Sequence, residues 1–491
     1  MELLIGFVIF VFLGFLLFVS FKTEKRITSV SDFLSFGHNH HQSTLRKTFE
    51  GTNISYGMIF IAFMIYPSSY GWATIAIPIG FIAGIILFVT LFVPKLMDNF
   101  ANNIRFPELL ERTTQSIKIR KLTAVLAVIS LWIFTFAEVQ AVGSLVSETL
   151  HLNELQAIVV VASVVVCLMF YVVKGGYQTM LETDQVQMNI TYLGSFCLVI
   201  IIVMQLNQVG LTVVIGAVAN HQGLLTTKID YAVFIAEAFS GFLLAQLYYY
   251  DNWQRLTAYV KSEVEQSGDS DIFDRQHFER LQNQIRSSYL RGTLVIGFVI
   301  LLPLMLGFLL IVDGSAVSPV TYLVGLLQQT WQGYQIIGPI MVLMVVLLLV
   351  SSLMSTVDSY TIGAANIIYE DILGRGTTSE RLSDLKLIKM VVVLFLAVII
   401  LLLPVKPDFA TLLLYLIYSA NGFVGPILFS ILRKSVSHRA VLASILFGFS
   451  YPVATLYFPD STFAQIPGIM TLTVSIALVG LWRVEKQAIG H

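Results

Sequence analysis

Charge is scarce in this sequence. Of 491 residues only 12% are charged, against 56% hydrophobic, and a soluble domain of that composition could not cover itself with polar surface. Cysteine is scarcer still. Cys167 and Cys197 both fall in apolar stretches, where a buried thiol behaves as a small hydrophobe, so no disulfide is expected. No Ser-His-Asp or HExxH arrangement is present and the eight histidines do not group at membrane depth, so no enzyme is expected. His38, His40 and His41 stand together in a polar segment without a carboxylate or cysteine beside them, and read as solvated residues rather than a metal centre. A net charge of −1 with no basic face leaves nothing for nucleic acid. The polar stretches 21–47, 94–121, 251–289 and 371–385 are too short for a soluble domain, so neither an attached signalling module nor an obligatory protein partner is expected. The stretch 251–289, rich in both charge signs and with an amphipathic helix expected around Phe273–Ile285, reads as solvated surface.

What the chain has in abundance is long apolar sequence. Runs near 2–20, 50–70, 72–93, 122–147, 155–173, 187–206, 229–250, 290–312, 338–368, 386–404, 408–430, 439–457 and 464–482 are mostly long enough to span about 30 Å of hydrocarbon. The first lacks a basic n-region and a small-x-small cleavage site before Lys22, and reads as a true span. An all-α polytopic protein of about 13 transmembrane helices follows, with the lipid bilayer as its solvent. Placed in alternating loops, every lysine and arginine except Lys228 and Lys406 falls on one side. That bias predicts an external N-terminus and a cytoplasmic C-terminus in the plasma or inner membrane.

Polar residues inside the spans carry the functional argument. The second run opens Phe49-Glu50-Gly51-Thr52-Asn53-Ile54-Ser55-Tyr56-Gly57, a stretch that unwinds readily. Backbone freed in hydrocarbon is tolerable only where it lines a cavity or binds something; a small-residue packing seam is the other reading. In the ninth run Ser352, Ser355, Thr356 and Ser359 share one helix face by i, i+3, i+4 and i+7 spacing. Hydroxyls combined with carbonyls make a mostly neutral cage suited to a monovalent cation, sodium above all, although such hydroxyls can also simply bond one turn back. Glu138, Glu237 and Asp358 lie within spans and Asp184 at the start of another. Buried carboxylates mark ion, proton or substrate paths unless they are kept neutral.

The run Lys174-Gly175-Gly176-Tyr177-Gln178-Thr179-Met180-Leu181-Glu182-Thr183-Asp184-Gln185-Val186-Gln187 resembles the GG-x-x-x-V-x-x-TD-x-x-Q signature of the sodium/solute symporter family, which includes proline, glucose, sialic acid and pantothenate carriers. Ser31 to Gly37 resembles that family's DF-x-x-x-G motif, Met354 to Ser359 its MST-x-DS helix, and Trp253-Gln254-Arg255 with Lys261-Ser262 its QR…KS loop. The resemblance implies a LeuT-type fold: a peripheral helix and loop over 1–47, inverted five-helix repeats over 48–206 and 207–430, and two peripheral helices with a short tail over 431–491. It implies sodium-coupled symport of a small organic solute by alternating access, with no organic cofactor. Carried over residue by residue, Na+ would meet carbonyls of Gly51, Ile54 and Ser352 and hydroxyls of Ser355 and Thr356, while Asp184 would influence coupling without being a direct ligand. The solute would sit among Asn53, Tyr56, Glu138, Gln140, Glu237, Gln246 and Tyr249.

Departures from the family pattern bear on the solute. The Pro-Gly common in the first core helix is replaced by Ile59-Phe60-Ile61-Ala62, and Gly37-His38 stands for Gly-Arg. Glu138 occupies a position more often small and neutral, and a pocket-facing acid there would favour a cationic or amine-bearing solute. Two alternatives stay open: proton coupling through Glu138, Glu237 or Asp358, and a membrane sensor that binds a solute without moving it.

Overall fold

The computed structural model describes residues 1–24, 27–34, 42–221, 228–266, 275–314, 317–375, 382–405, 416–433, 435–457 and 466–482. The histidines at 38, 40 and 41 lie outside the described residues, as does the end of the 31–37 motif. After α1 (Glu2–Glu24) and the short α2 (Val30–Leu34), α3 (Gln42–Asn53) stops and resumes as a wide turn over Tyr56–Ile61 that leads into α4 (Ala62–Tyr70). Next come α5 (Ala76–Leu87), α6 (Val93–Ala101), α7 (Phe106–Thr114), α8 (Ile117–Thr149), α9 (Glu154–Val209) and α10 (Leu211–Asn220). A second interrupted helix follows as α11 (Lys228–Leu243) and α12 (Tyr250–Gln266). The chain continues through α13 (Arg275–Asp313), α14 (Pro319–Gly333), α15 (Ile337–Asn366) and α16 (Leu382–Leu402). It closes with α17 (Leu416–Leu432), α18 (His438–Tyr457) and α19 (Pro467–Leu481).

Among the described residues, eight helical stretches are long and apolar enough to cross a membrane. α9 has 56 residues, about 84 Å at 1.5 Å per residue and more than twice the hydrocarbon thickness. Its halves part at Gly176, whose φ of 53° and ψ of −150° suit glycine and little else. The ring of Phe33 from α2 comes within 2.7 Å of where a Cβ would stand. Gly176→Ala should therefore lose about 1–3 kcal/mol to backbone strain and displace Phe33 as well. Thermal melting in detergent checks this, and an unchanged transition would mean that the kink tolerates a side chain.

The aspartate of the first motif serves α2 itself. Asp32 Oδ2 accepts from the N–H groups of Thr28 and Ser29 at 3.0 and 2.9 Å, while Ser29 Oγ accepts from Asp32 N at 3.1 Å, a reciprocal cap. Burial alone would raise the Asp32 carboxyl, but these bonds hold it below its ordinary value.

At the centre, α15 is buried without interruption from Leu348 to Asn366 and packs along α8, α9 and α3. The start of the segment 251–289 is interior rather than solvated. Asn252 and Trp253 are fully buried and Arg255 is 2% exposed. Its guanidinium pairs with Asp251 at 3.3 Å and donates to Thr52 Oγ1 of α3 at 2.7 Å. The charges compensate one another, so they can leave water. The helix expected around Phe273–Ile285 begins at Arg275 and runs unbroken into the span of α13.

Candidate functional site

The break after α3 has local causes. Thr52 Oγ1 and the Asn53 amide donate to the carbonyls of Thr48 and Phe49 at 3.0 and 2.8 Å, a competition with the helix that favours its ending. Ser55 is extended, with φ −93° and ψ 146°, and Ile59 N and Phe60 N both reach back to Ser55 O at 3.3 Å. The backbone groups freed at the break find partners on neighbouring helices, as membrane depth requires. Ser352 Oγ of α15 donates to Ile54 O at 2.7 Å, and Glu138 Oε2 of α8 accepts from Gly57 N at 2.7 Å.

The hydroxyl face of α15 lies against this break and against α9. Ser355 Oγ donates to Asp184 Oδ1 at 2.5 Å, and Thr356 Oγ1 donates to Ser352 O at 2.9 Å. The hydroxyls of Thr52 and Ser359 lie within hydrogen-bond distance of each other, at 3.1 Å. Gly51 permits the approach, since a Cβ there would stand 3.5 Å from Asp184 Oδ1 and overlap Ser355 Oγ. Gly51, Ile54, Ser352, Ser355 and Thr356 thus share one buried cluster, and Asp184 touches it directly. Asp184 Oδ2 is buried without a hydrogen-bond partner among the described residues. An unsatisfied carboxylate oxygen beside hydroxyls and a loosened helix end suits a desolvated monovalent cation. Asp358, one turn along α15, is also fully buried, and its Oδ2 has no hydrogen-bond partner among the described residues.

Beside the break is a cavity of about 60 Å³. Its polar lining is Thr52, Asn53 and Ser55; Phe63, Tyr66, Phe81, Phe242, Tyr249 and Tyr360 supply its aromatic walls. Tyr249 and Tyr360 also line a smaller cavity of about 30 Å³ with Phe106, Tyr250 and Asp251, so they form the partition between the two. Tyr249 is the last residue of the interruption between α11 and α12, which faces the first break across the cavity.

Of the residues expected around the solute, Asn53 and Tyr249 line this cavity. Tyr56 is buried beneath the break and stacks on Phe60 at 6.2 Å. Gln246 accepts from Asn252 Nδ2 at 2.6 Å. Gln140 donates to the carbonyls of Leu403 and Val405, both at 2.9 Å, beside a separate cavity of about 400 Å³. Glu237 accepts from the N–H groups of Gly468 and Ile469 at the start of α19, a favourable place for a carboxylate. Glu138 is absent from the lining, so the cationic solute that a pocket-facing Glu138 would favour loses its support. The aromatic wall went unanticipated, although Ile59, Phe63 and Tyr66 share a helical face by i, i+4 and i+7 spacing.

Two interrupted helices facing each other at the middle of a helical membrane protein, with a cation-suited cluster beside an enclosed cavity, define an ion-coupled secondary transporter. Residues 45–448 match the model of the sodium:solute symporter family; the chain belongs to that family. The fold is similar over 98% of both chains to a Na+-coupled sialic acid symporter in a substrate-bound outward-open state, with TM-score 0.71 at 16% identity. It is also similar to Mhp1, a nucleobase-cation-symport-1 family transporter solved closed with bromovinylhydantoin bound, over 92% of each chain with TM-score 0.54 at 15% identity. A manganese transporter mutant from Eremococcus coleocola shares the fold over 93% of this chain and 98% of its own, with TM-score 0.52 at 12% identity. No curated protein matches the chain in sequence. The architecture is the LeuT-type fold, and the protein is a sodium-coupled symporter that works by alternating access.

Proposed function

We propose that Na+ binds between α3 and α15, held by the carbonyls of Gly51, Ile54 and Ser352 and the hydroxyls of Ser355 and Thr356, with Asp184 supplying charge beside them. The observation that carries this is the convergence on one buried cluster of the broken helix, the hydroxyl face and the half-satisfied Asp184. The solute occupies the neighbouring cavity between the two breaks and leaves past Tyr249 and Tyr360 once the outer side has closed. Residues 48–206 and 207–430 act as the two inverted repeats, and the bias of the basic residues supports an N-terminus outside and a C-terminus in the cytoplasm. At 100 mV one monovalent charge is worth about 2.3 kcal/mol, so one-to-one coupling concentrates an uncharged solute about 50-fold before the sodium gradient is counted.

The test needs no known solute. Melting of the purified protein is compared in sodium and potassium at equal ionic strength, for the wild type and for Ser355→Ala and Thr356→Ala. A ligand at 100 times its Kd stabilises by about 2.7 kcal/mol, and that sodium-specific gain should vanish in both variants. Equal melting of the wild type in the two salts would sink this assignment and make fully buried Asp358, whose Oδ2 has no hydrogen-bond partner among the described residues, the next group to examine.

A further inference from the structure

We propose that the solute is uncharged, with an apolar or aromatic body and a polar end that meets the first helix break. This rests on the transport reading and narrows it to a substrate class.

In a broken membrane helix, the N-terminus of the outer half is the natural seat for an anionic substrate group, because its N–H groups and dipole point into the site. Here the seat is taken. Gly57 N donates to Glu138 Oε2 at 2.7 Å, and Glu138 is fully buried on α8 and does not line the cavity. The protein places its own carboxyl where a substrate carboxylate would dock. Such a substrate would lose the Gly57 N–H whatever the protonation of Glu138, and would meet like charge when Glu138 is ionised.

A cation fares no better. No charged side chain lines the cavity among the described residues, and the nearby Arg255 and Asp251 are turned to each other. An ion moved into this aromatic enclosure finds no counter-charge for the hydration it gives up. What the cavity does offer is six aromatic rings, and Ser55 Oγ buried without a hydrogen-bond partner among the described residues. That hydroxyl can serve one amide, carbonyl or hydroxyl of an uncharged solute.

Matched acid and amide probes decide the matter: benzoate with benzamide, nicotinate with nicotinamide, and 3-methylbutanoate with 3-methylbutanamide, plus choline for the quaternary ammonium that aromatic cages also hold. Each is titrated in sodium against the melting of the wild type, Glu138→Ala and Glu138→Gln. At least one amide should stabilise the wild type while its acid and choline do not. In Glu138→Ala the acid should gain about tenfold in apparent affinity relative to its amide, equivalent to about 1.4 kcal/mol. Glu138→Gln, which keeps an acceptor for Gly57 and removes the charge, should fold if Glu138→Ala does not, and should weaken the discrimination against acids. Acids or choline stabilising the wild type as well as the amides do would overturn the proposal, and so would a wild type that no amide stabilises. The sodium-versus-potassium comparison without solute stands apart: its failure sinks the sodium site, whereas a sodium response with preference for charged solutes sinks only the substrate class.

Discussion

Gly51→Ala should abolish the difference in stability between sodium and potassium. In an ordinary helix the exchange would help, since glycine there is worse than alanine by about 0.5–1 kcal/mol. Gly51 is not in an ordinary place. A Cβ would overlap Ser355 Oγ and lie 3.4 Å from Ser355 Cβ and 3.5 Å from Asp184 Oδ1. The serine hydroxyl can turn away only by giving up its 2.5 Å bond to Asp184, whose other oxygen already lacks a partner among the described residues. An unsatisfied buried polar group costs about 1–3 kcal/mol, so the variant should melt earlier in both salts. The methyl would also fill the space beside the hydroxyls proposed to hold the cation, so the sodium increment should disappear as well. Gly14→Ala is the control: nothing lies within 4 Å of its added Cβ, and it should leave both the melting point and the salt difference nearly unchanged. A Gly51→Ala protein that keeps the wild-type sodium shift would place the cation elsewhere.

Cation binding at the proposed site would also couple to helix movement. The end of α3 reaches α15 through Ile54 O and Ser352, α9 through the Gly51 approach to Asp184, and α12 through Thr52 and Arg255. A cation at this junction adds shared ligands between α3 and α15 and so favours the arrangement in which they are close. A ligand shifts a conformational equilibrium only by its differential affinity for the two states. Sodium held as proposed would have that property for any state in which α3 and α15 lie farther apart.

Local chemistry made part of the site legible in the sequence. The Gly51–Gly57 stretch reads as a weak helix because its side chains compete for the backbone, and the hydroxyls of α15 fall on one face by spacing alone. What could not be read was partnership. One partner of Glu138 is the backbone N–H of Gly57, 81 residues away, and nothing in the residues near 138 marks it. Glu237 is likewise satisfied by the start of α19, so an acid that reads as a solute contact is a helix cap. Asp251 and Arg255 look like solvated loop charges until they are seen to neutralise each other against Thr52. The cavity wall stayed hidden for another reason: aromatic and isoleucine side chains are so common in membrane helices that those facing a cavity carry no distinguishing pattern. Gly176 read as part of a motif, but only the fold shows that Phe33 needs its missing side chain.

Arg105→Met should be the most destabilising single change at the end of the molecule where α7, α8 and α15 meet, costing about 3–5 kcal/mol. Arg105 is 1% exposed. It is ion-paired with Glu370, lies 3.9 Å from Asp371, and donates through Nη1 to Tyr250 Oη at 2.8 Å. Arg120 completes the group by bonding Asp371 and Glu111 at 2.8 and 2.9 Å. These contacts tie the start of α7 to the end of α15, the start of α8 and the lower half of the second broken helix. Removing one member strands Glu370 in a place built for a pair, and an uncompensated buried charge is what makes the loss large. Arg105→Met with Glu370→Met should recover most of it, because Arg120 still holds Asp371 and apolar pairs of similar volume commonly replace buried ion pairs without loss; a double-mutant cycle in thermal melting measures the coupling. Wild-type melting of Arg105→Met would show that the pair contributes nothing. Because none of these residues belongs to the proposed cation cage, the sodium increment should survive in Arg105→Met while overall stability falls. Gly51→Ala should keep more of its stability and lose the increment, so the two variants together separate the lock at this end of the fold from the proposed ion site at its centre.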